Sequence, residues 1–207
     1  MIAGRIFTLL RSVGMAAALL GSFASFDSAA AQSRAAILMP DSAEAGSSDF
    51  LVRNKYRIGS GSTSAVVSTS PGEAVSIART EAAKGRKVIL IGFGHGTIDV
   101  ARALVAGAQV SGVVLVSGAY DGVRSELSSP AKLPRTLAIH HRADACDVSP
   151  PSAVATFAKW ADGRVAVQWL NNRGPPVPDP CGPRSAHAFF MRDGSAVAAI
   201  NGFIRSR

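Results

Sequence analysis

Short apolar runs alternate with amphipathic helical patterns over the second two-thirds of this chain. Strand-length runs that are mostly apolar are typical of parallel strands covered on both faces. Such runs predict strands over residues 87–91, 113–116, 136–139 and 165–170. Helical patterns predict helices over residues 97–106, 151–161 and 195–204. This alternation indicates an α/β fold in which helices connect the strands.

The first clear helix carries both a start signal and a stop signal. Ser70 and Glu73 have the spacing of a capping box, and Pro71 takes the first helical position. Gly85 is suited to the C-terminal end of the same helix. These signals predict a helix that begins directly after Ser70.

Domain organisation follows from where these patterns are strong. Residues 70–207 are predicted to form one domain, a three-layer α/β/α structure with a mainly parallel sheet. Residues 32–69 form a poorly organised N-terminal region in which residues 36–39 and 65–67 predict two short strands.

The N-terminus resembles an export signal. Arg5 and Arg11 lie before an apolar stretch at residues 13–23. Three alanines at residues 29–31 have the small side chains of a cleavage site and come before Gln32. We predict a signal peptide over residues 1–31, with an uncleaved membrane anchor as the alternative. We therefore expect an exported protein, periplasmic or secreted, with no stable membrane span after cleavage.

Charge and cysteine usage narrow the function classes further. The chain has a net charge of +8, but its arginines are scattered and aromatic residues are few, so nucleic-acid binding is disfavoured. We expect a soluble monomer.

Cys146 and Cys181 are the only cysteines, and in an exported chain such a pair indicates a disulfide, with two free buried thiols as the alternative.

A glycine-rich corner follows the first clear strand. Residues 92–96 read GFGHG directly after the apolar run at residues 88–91 and before a predicted helix. Small residues allow a strand to turn sharply into a helix. In the G-x-S-x-G motif the middle residue of such a corner is the attacking serine. Here that middle residue is Gly94, which has no side chain.

Three separate stretches resemble a family of bacterial exported α/β-hydrolases. They read VILIGFGHGT at residues 88–97, HHRADAC at residues 140–146, and PCGP and SAHAF within residues 180–189. Family members are similar at L-V-G-x-S-x-G-T, at H-H-x-x-D-x-C, and at D-P-C followed by H-x-F. The resemblance covers residues 85–207 and implies a truncated α/β-hydrolase-like fold of esterase-type ancestry.

The resemblance implies roles for four positions. Asp144 is implied to be the acid that orients a histidine, and His187 to be the general base. Gly94 is implied to occupy the nucleophile position, and the backbone N–H of His95 to be an oxyanion donor. The resemblance also implies that the disulfide ties the loop of the acid to the loop of the histidine.

Two departures from the family bear on activity. Glycine at the nucleophile position removes the serine that forms an acyl-enzyme. Only a short segment precedes Ser70, so the part of the family fold that gives a second oxyanion N–H is truncated or rearranged. We therefore expect an esterase-like scaffold that is catalytically impaired. We also expect it to bind a small acyl, ester or peptide-like ligand and to use no cofactor and no metal.

An active hydrolase is the first alternative. It would use a non-standard nucleophile, or a water molecule activated by His187. Ser117, at the end of a predicted strand, is the first candidate for the nucleophile, followed by Ser60 and Ser62 in a flexible turn and by His95.

Two binding functions are further alternatives. Gly92, Gly94 and Gly96 follow a strand and open a helix, as in loops that cradle the phosphates of a nucleotide. A candidate metal site is formed by His140, His141, Asp144 and His187. The two adjacent histidines lie on a strand and point to opposite faces, so at most one of them faces a given ion.

Overall fold

The computed structural model describes residue 1, residues 34–171 and residues 177–207 of the chain. The predicted signal peptide falls outside the described residues except for Met1, and so does part of the glycine- and proline-rich loop after residue 170. Within the described residues, no helix is long and apolar enough to cross a membrane.

Six strands form one sheet in which every neighbouring pair is parallel. In chain order they are β1 (Arg34–Met39), β2 (Thr63–Val67), β3 (Lys87–Phe93), β4 (Gly112–Val116), β5 (Thr136–His141) and β6 (Val165–Leu170). The spatial order is β2-β1-β3-β4-β5-β6. This confirms the predicted parallel sheet and each of the strands that the apolar runs predicted.

Seven α-helices accompany the strands in the described part of the chain. They are α1 (Phe50–Arg53), α2 (Lys55–Ile58), α3 (Pro71–Ala83), α4 (Gly96–Val105), α5 (Tyr120–Leu127), α6 (Pro151–Trp160) and α7 (Asp193–Arg205). A single 3₁₀ turn, Pro130–Lys132, follows α5. The Ser70 side chain accepts a hydrogen bond from the Glu73 N–H at 3.2 Å, which confirms the predicted start of α3.

Helices cover both faces of the sheet. On β1, Ile37 and Met39 pack into one core with α3, α4, α5 and α6, while Ala36 and Leu38 pack into a second core with α1, α2 and α7. Successive side chains of a strand point to opposite faces, so one strand serves both cores. The result is the predicted three-layer α/β/α architecture.

Residues 34–69, for which the sequence indicated little organisation, contribute β1, α1, α2 and β2 to this architecture. β1 lies inside the sheet between β2 and β3. The two helices have four residues each, which is too short to show a helical period. Asp49 marks the start of α1, because its carboxylate accepts hydrogen bonds from the N–H groups of Leu51 and Val52.

All six strands run in the same direction, so the loops that follow them meet at one edge of the sheet. Asp41 follows β1, Gly94 and His95 follow β3, and Ser117 follows β4. Asp144 follows β5, and His187 lies between β6 and α7. Ligands of open α/β sheets bind at this edge.

Candidate functional site

The corner between β3 and α4 is a tight turn that requires glycine at more than one position. Gly94 has a φ of +54°, a left-handed conformation that side-chain-bearing residues rarely adopt. A β-carbon on Gly92 would lie 2.7 Å from the Cα of Thr97. The Thr97 hydroxyl closes the turn by donating to the Gly94 carbonyl at 2.6 Å. The glycines therefore allow β3 to pass directly into α4.

A carboxylate from the loop after β1 lies against this corner. Asp41 Oδ1 accepts a hydrogen bond from the backbone N–H of His95 at 2.6 Å, and it is 3.1 Å from the Nδ1 of the same residue. A β-carbon built on Gly94 would overlap this oxygen. Asp41 therefore occupies the space that a side chain at position 94 would need.

The backbone of Asp41 is fixed by a second carboxylate. The Asp41 N–H donates to Asp49 Oδ2 at 3.1 Å, while the other oxygen of Asp49 caps α1. Burial raises the pKa of Asp49 above its usual range, although these backbone hydrogen bonds oppose the shift. The hydrogen bond between Asp41 and Asp49 thus joins the two ends of the loop from residue 41 to 49, which lies beside the corner.

A buried aspartate and histidine meet at the same edge. His187 Nδ1 is 3.1 Å from Asp144 Oδ2, and both side chains are shielded from solvent. The Ser149 hydroxyl donates to Asp144 Oδ2 at 2.8 Å and lies 2.8 Å from His187 Nδ1. The other oxygen of Asp144 accepts the N–H of Cys146 at 2.9 Å. A proton on Nδ1 would have two oxygen acceptors, Asp144 Oδ2 and Ser149 Oγ, and in that tautomer Nε2 of His187 carries the lone pair.

The backbone and ring of His187 are fixed by neighbouring strands. Its carbonyl accepts a hydrogen bond from the buried Ser117 hydroxyl at 2.7 Å. Its ring centroid lies 4.9 Å from that of Phe93, the last residue of β3. The Asp144–His187 pair is therefore held between β3, β4 and the loop after β5.

A second histidine contacts the same carboxylate. His140 is fully buried, its Nε2 lies 3.5 Å from Asp144 Oδ2, and its Nδ1 lies 3.4 Å from the hydroxyl of Tyr120. Burial lowers the pKa of His140 to about 4, against the opposing attraction of Asp144. His140 is therefore neutral at ordinary pH.

The neighbouring His141 points to the other face of β5. Its ring packs edge-on against Phe189, and its Nδ1 accepts the N–H of Ala143 at 3.1 Å. Among the described residues, no group of three or more His, Cys, Asp or Glu side chains is arranged to hold a metal ion. The four residues of the candidate metal site therefore do not converge as one group.

The predicted disulfide is formed. Cys146 and Cys181 are bonded, with Cα atoms 4.7 Å apart and a sequence separation of 35 residues. Cys146 lies two residues after Asp144, and Cys181 lies six residues before His187. The bond therefore joins the loop of the aspartate to the loop of the histidine.

A cleft of about 170 Å³ opens beside the corner. Asp41, Asp49, Phe93 and Cys181 are among the residues that line it. Ala45, Pro183 and Ala188 are among the remaining residues that line it. Phe93 also packs on His187, so the cleft and the buried pair share one wall.

The structure brings together most of the residues that the sequence singled out. Asp144 and His187 are paired, and Gly94 and His95 lie at the corner with Asp41. Ser117 is at the same edge, but its hydroxyl is committed to a backbone carbonyl. Ser60 lies at the opposite end of the sheet, in the turn that precedes β2.

Sequence reasoning missed three polar side chains of the site: Asp41, Asp49 and Ser149. Asp41 had a signal, since it lies two residues after the short predicted strand at residues 36–39 and so lies at the carboxyl edge of the sheet. Ser149 had none, because its position beside the pair depends on how the loop after β5 folds back.

Solved α/β-hydrolases have the same fold as this chain. A protein described as a YdeN-like hydrolase from Pectobacterium atrosepticum matches with a TM-score of 0.58 and 17% identity, over 84% of this chain and 92% of its own. An α/β serine hydrolase homologue from Coxiella burnetii has a TM-score of 0.56 and 16% identity, over 83% and 85%. The esterase domain of a Rhodothermus marinus protein has a TM-score of 0.56 and 11% identity, over 86% and 89%.

No protein-family model and no curated protein matches the chain. The structural likeness, at these low identities, establishes the fold. The six-stranded parallel sheet with helices on both faces is therefore a truncated α/β-hydrolase fold.

Protonation of His140 is expected to destabilise the fold in acid. Burial lowers its pKa from an ordinary 6.5 to about 4 in the folded chain. As the pH falls from about 6.5 to about 4, the unfolded chain takes up a proton that the folded chain does not, so stability is lost. We expect the Tm of the wild type, measured by circular dichroism, to fall more steeply over this interval than that of His140→Gln. Parallel slopes would show that His140 is not the group responsible.

Proposed function

We propose that this chain is an exported α/β-hydrolase-fold protein of esterase-type ancestry that lacks serine-type catalysis. It binds a small acyl, ester or peptide-like ligand in the cleft beside Asp41. The proposal includes a location in the periplasm or outside the cell, a monomeric state, and no cofactor. Solved hydrolases and esterases of the same fold support the ancestry, and the disulfide is compatible with export.

The observation that carries the proposal is the carboxylate at the corner. In our proposal Gly94 stands at the nucleophile position and supplies no hydroxyl. Asp41 Oδ1 fills the adjacent space and already accepts the His95 N–H, the proposed oxyanion donor. A tetrahedral intermediate develops negative charge at that donor. A fixed carboxylate at the His95 N–H repels this developing negative charge. Serine-type ester hydrolysis is therefore disfavoured for two reasons, the missing hydroxyl at position 94 and the repulsion by Asp41.

Other hydroxyl groups do not replace the missing serine in this proposal. Ser117 is buried and donates to the His187 carbonyl, so it cannot also donate to the His187 ring in this arrangement. Ser149 donates to Asp144 on the Nδ1 side of His187, away from the ring nitrogen that would act as a base. Both hydroxyls support the position of the histidine rather than attack a ligand.

The second candidate function is hydrolysis by a water molecule that His187 activates. The observation that favours it is the preserved pair, with Asp144 and His187 at 3.1 Å and Nε2 free to accept a proton. The nucleotide-binding alternative is less favoured, because the carboxylate of Asp41 takes the N–H that opens α4 and repels a phosphate.

Ester turnover tests the loss of catalysis. We expect purified mature protein to hydrolyse p-nitrophenyl acetate and butyrate no faster than the His187→Ala variant, since no nucleophile is positioned for acyl transfer. The release of p-nitrophenol is followed by absorbance. Robust turnover that depends on His187 would contradict the proposal, and labelling of a serine by a fluorophosphonate probe would then identify the nucleophile.

Ligand binding in the cleft is tested by filling it. Ala45 lines the cleft, whereas Ala43 in the same loop is exposed and does not. We expect short-chain acyl esters and N-acyl dipeptides to raise the Tm of the wild type and of Ala43→Trp, but not that of Ala45→Trp, because the added indole occupies the cleft. Equal stabilisation of all three proteins would place the binding elsewhere.

Restoring a serine requires a second change. Gly94→Ser alone would press the new side chain against Asp41, and it would also hold a non-glycine residue at a φ of +54°. We expect Gly94→Ser with Asp41→Ala to hydrolyse p-nitrophenyl acetate at least about 10-fold faster than either single variant, since the hydroxyl gains space and the His95 N–H is freed. A folded but inactive double variant would show that position 94 does not serve His187.

A further inference from the structure

The loops that lead into the strands meet at the amino edge of the sheet, opposite the edge that carries the cleft. Basic side chains concentrate there. We call the basic rim those that have no carboxylate within salt-bridge distance in the described part of the chain: Arg34, Lys87, Lys132, Arg135, Arg164, Arg205 and Arg207. We propose that the basic rim docks the protein on the surface of an anionic phospholipid bilayer. This goes beyond the proposed function, which concerns the opposite edge.

Strand register places part of the basic rim in a row. Arg34 and Lys87 are register partners at the first positions of β1 and β3. Arg135 directly precedes β5, and its carbonyl accepts an N–H of β4 at 3.0 Å. Arg164 directly precedes β6, and its carbonyl accepts the first N–H of β5 at 2.9 Å. Because neighbouring strands lie about 4.8 Å apart, the row from β1 to β6 is about 20 Å long.

The end of α7 adds further cations to the row. The Arg34 guanidinium donates to the carbonyl of Arg205 at 3.0 Å and to that of Arg207 at 3.2 Å. Arg207 lies over the ring of Phe203 at 4.5 Å. Desolvation and the nearby positive charge of Arg135 lower the pKa of Arg207. Like charges are therefore held side by side at this edge, and an anionic surface offsets their repulsion.

The amino edge has little negative charge of its own. Glu81 is bonded to Lys84 at 2.7 Å and to Arg86 at 2.6 Å, which lie outside the basic rim for this reason. In the described loops that lead into the strands, Asp162 is the one acidic side chain. Carboxylates collect at the other edge instead, namely Asp41, Glu44, Asp49, Asp144, Asp147 and Asp179. The basic rim therefore presents a positive potential to a partner.

The chemistry of the basic rim favours a bilayer over a nucleic acid. Proteins that bind single-stranded nucleic acids stack the bases on aromatic side chains. The described loops that lead into the strands contain no aromatic residue, and the ring of Phe203 is already covered by Arg207. Clusters of Lys and Arg without such stacking surfaces are typical of contacts with anionic lipid headgroups.

The position of the predicted export segment also favours a bilayer. Its apolar stretch at residues 13–23 precedes β1, which begins at Arg34 in the basic rim. Residues 24–33 connect the two and span at most about 35 Å when fully extended. While this segment is attached, it tethers the amino edge, and not the edge with the cleft, close to its apolar residues. After cleavage, charge alone holds the basic rim at the bilayer.

Vesicle flotation tests the docking. Protein of residues 32–207, which contains all the strands and helices, is mixed with phosphatidylcholine vesicles that hold either no phosphatidylglycerol or about 30% of it. We expect the protein to float with the anionic vesicles at about 0.05 M NaCl and not with the neutral ones. At about 0.5 M NaCl the screening length falls to about 4 Å, so we expect the binding to be lost.

A charge variant locates the docking surface. Arg135, Arg164 and Arg205 are exposed and form no salt bridge within the described residues. Each cation near an anionic bilayer strengthens binding roughly five-fold. We therefore expect the variant that combines Arg135→Gln, Arg164→Gln and Arg205→Gln to bind anionic vesicles about 100-fold more weakly than the wild type.

A matched variant controls for net charge. Arg142, Arg184 and Arg192 are exposed and follow strands at the carboxyl edge. Changing all three to Gln removes the same charge and is expected to alter vesicle binding less than about five-fold, since distant charges are screened. Melting curves check the folding of both variants. Arg135→Gln alone is a milder test, because this side chain makes no hydrogen bond within the described residues, and we expect it to weaken binding about five-fold.

Competing anions separate a bilayer from other partners. We expect about 10 mM phosphate to release no more protein than NaCl of equal ionic strength, and a DNA duplex to bind more weakly than the vesicles. Equal binding to neutral vesicles, equal loss in the two triple variants, specific release by phosphate, or tighter binding to DNA would overturn the proposal. Ester turnover and ligand binding in the cleft are separate measurements, so the proposed function and this inference fail independently.

Discussion

The parallel direction of all six strands is the constraint on which this structure depends. Because no strand reverses, each connection must cross back over a face of the sheet, and every strand delivers its following loop to the same edge. Asp41, Gly94, Asp144 and His187 are far apart in sequence and meet only for this reason. The two apolar cores hold the strands in register, so the geometry of the polar edge is set by the packing of the apolar interior.

Much of the fold was predictable because its signals are local. The apolar runs of β3 to β6 and the cap of α3 are visible within a few residues each, and the structure has them. The region from residue 34 to 69 was harder, since α1 and α2 are each a single turn. The apolar runs at residues 36–39 and 65–67 predicted the strands β1 and β2, but not that β1 lies inside the sheet between β2 and β3. A strand in the middle of a sheet is defined by long-range neighbours that no short window contains.

The candidate site was predictable in part, and for a similar reason. Asp144 and His187 lie in stretches with a recognisable pattern, and the disulfide between their loops was expected from the two cysteines. Ser149 carries no pattern of its own, and the signal of Asp41 is only its place just after a short predicted strand. Asp41 matters because Gly94 leaves a space that a carboxylate from another loop fills, and this complementarity exists only in three dimensions.

The sulfur bridge between Cys146 and Cys181 has a consequence for when the buried pair is completed. Thiols stay reduced in the cytoplasm and are oxidised in the periplasm and outside the cell. If the chain is exported, as proposed above, it lacks in the cytoplasm the link that joins the loop of Asp144 to the loop of His187. The arrangement of the two loops around the buried pair then depends on the redox state of the compartment.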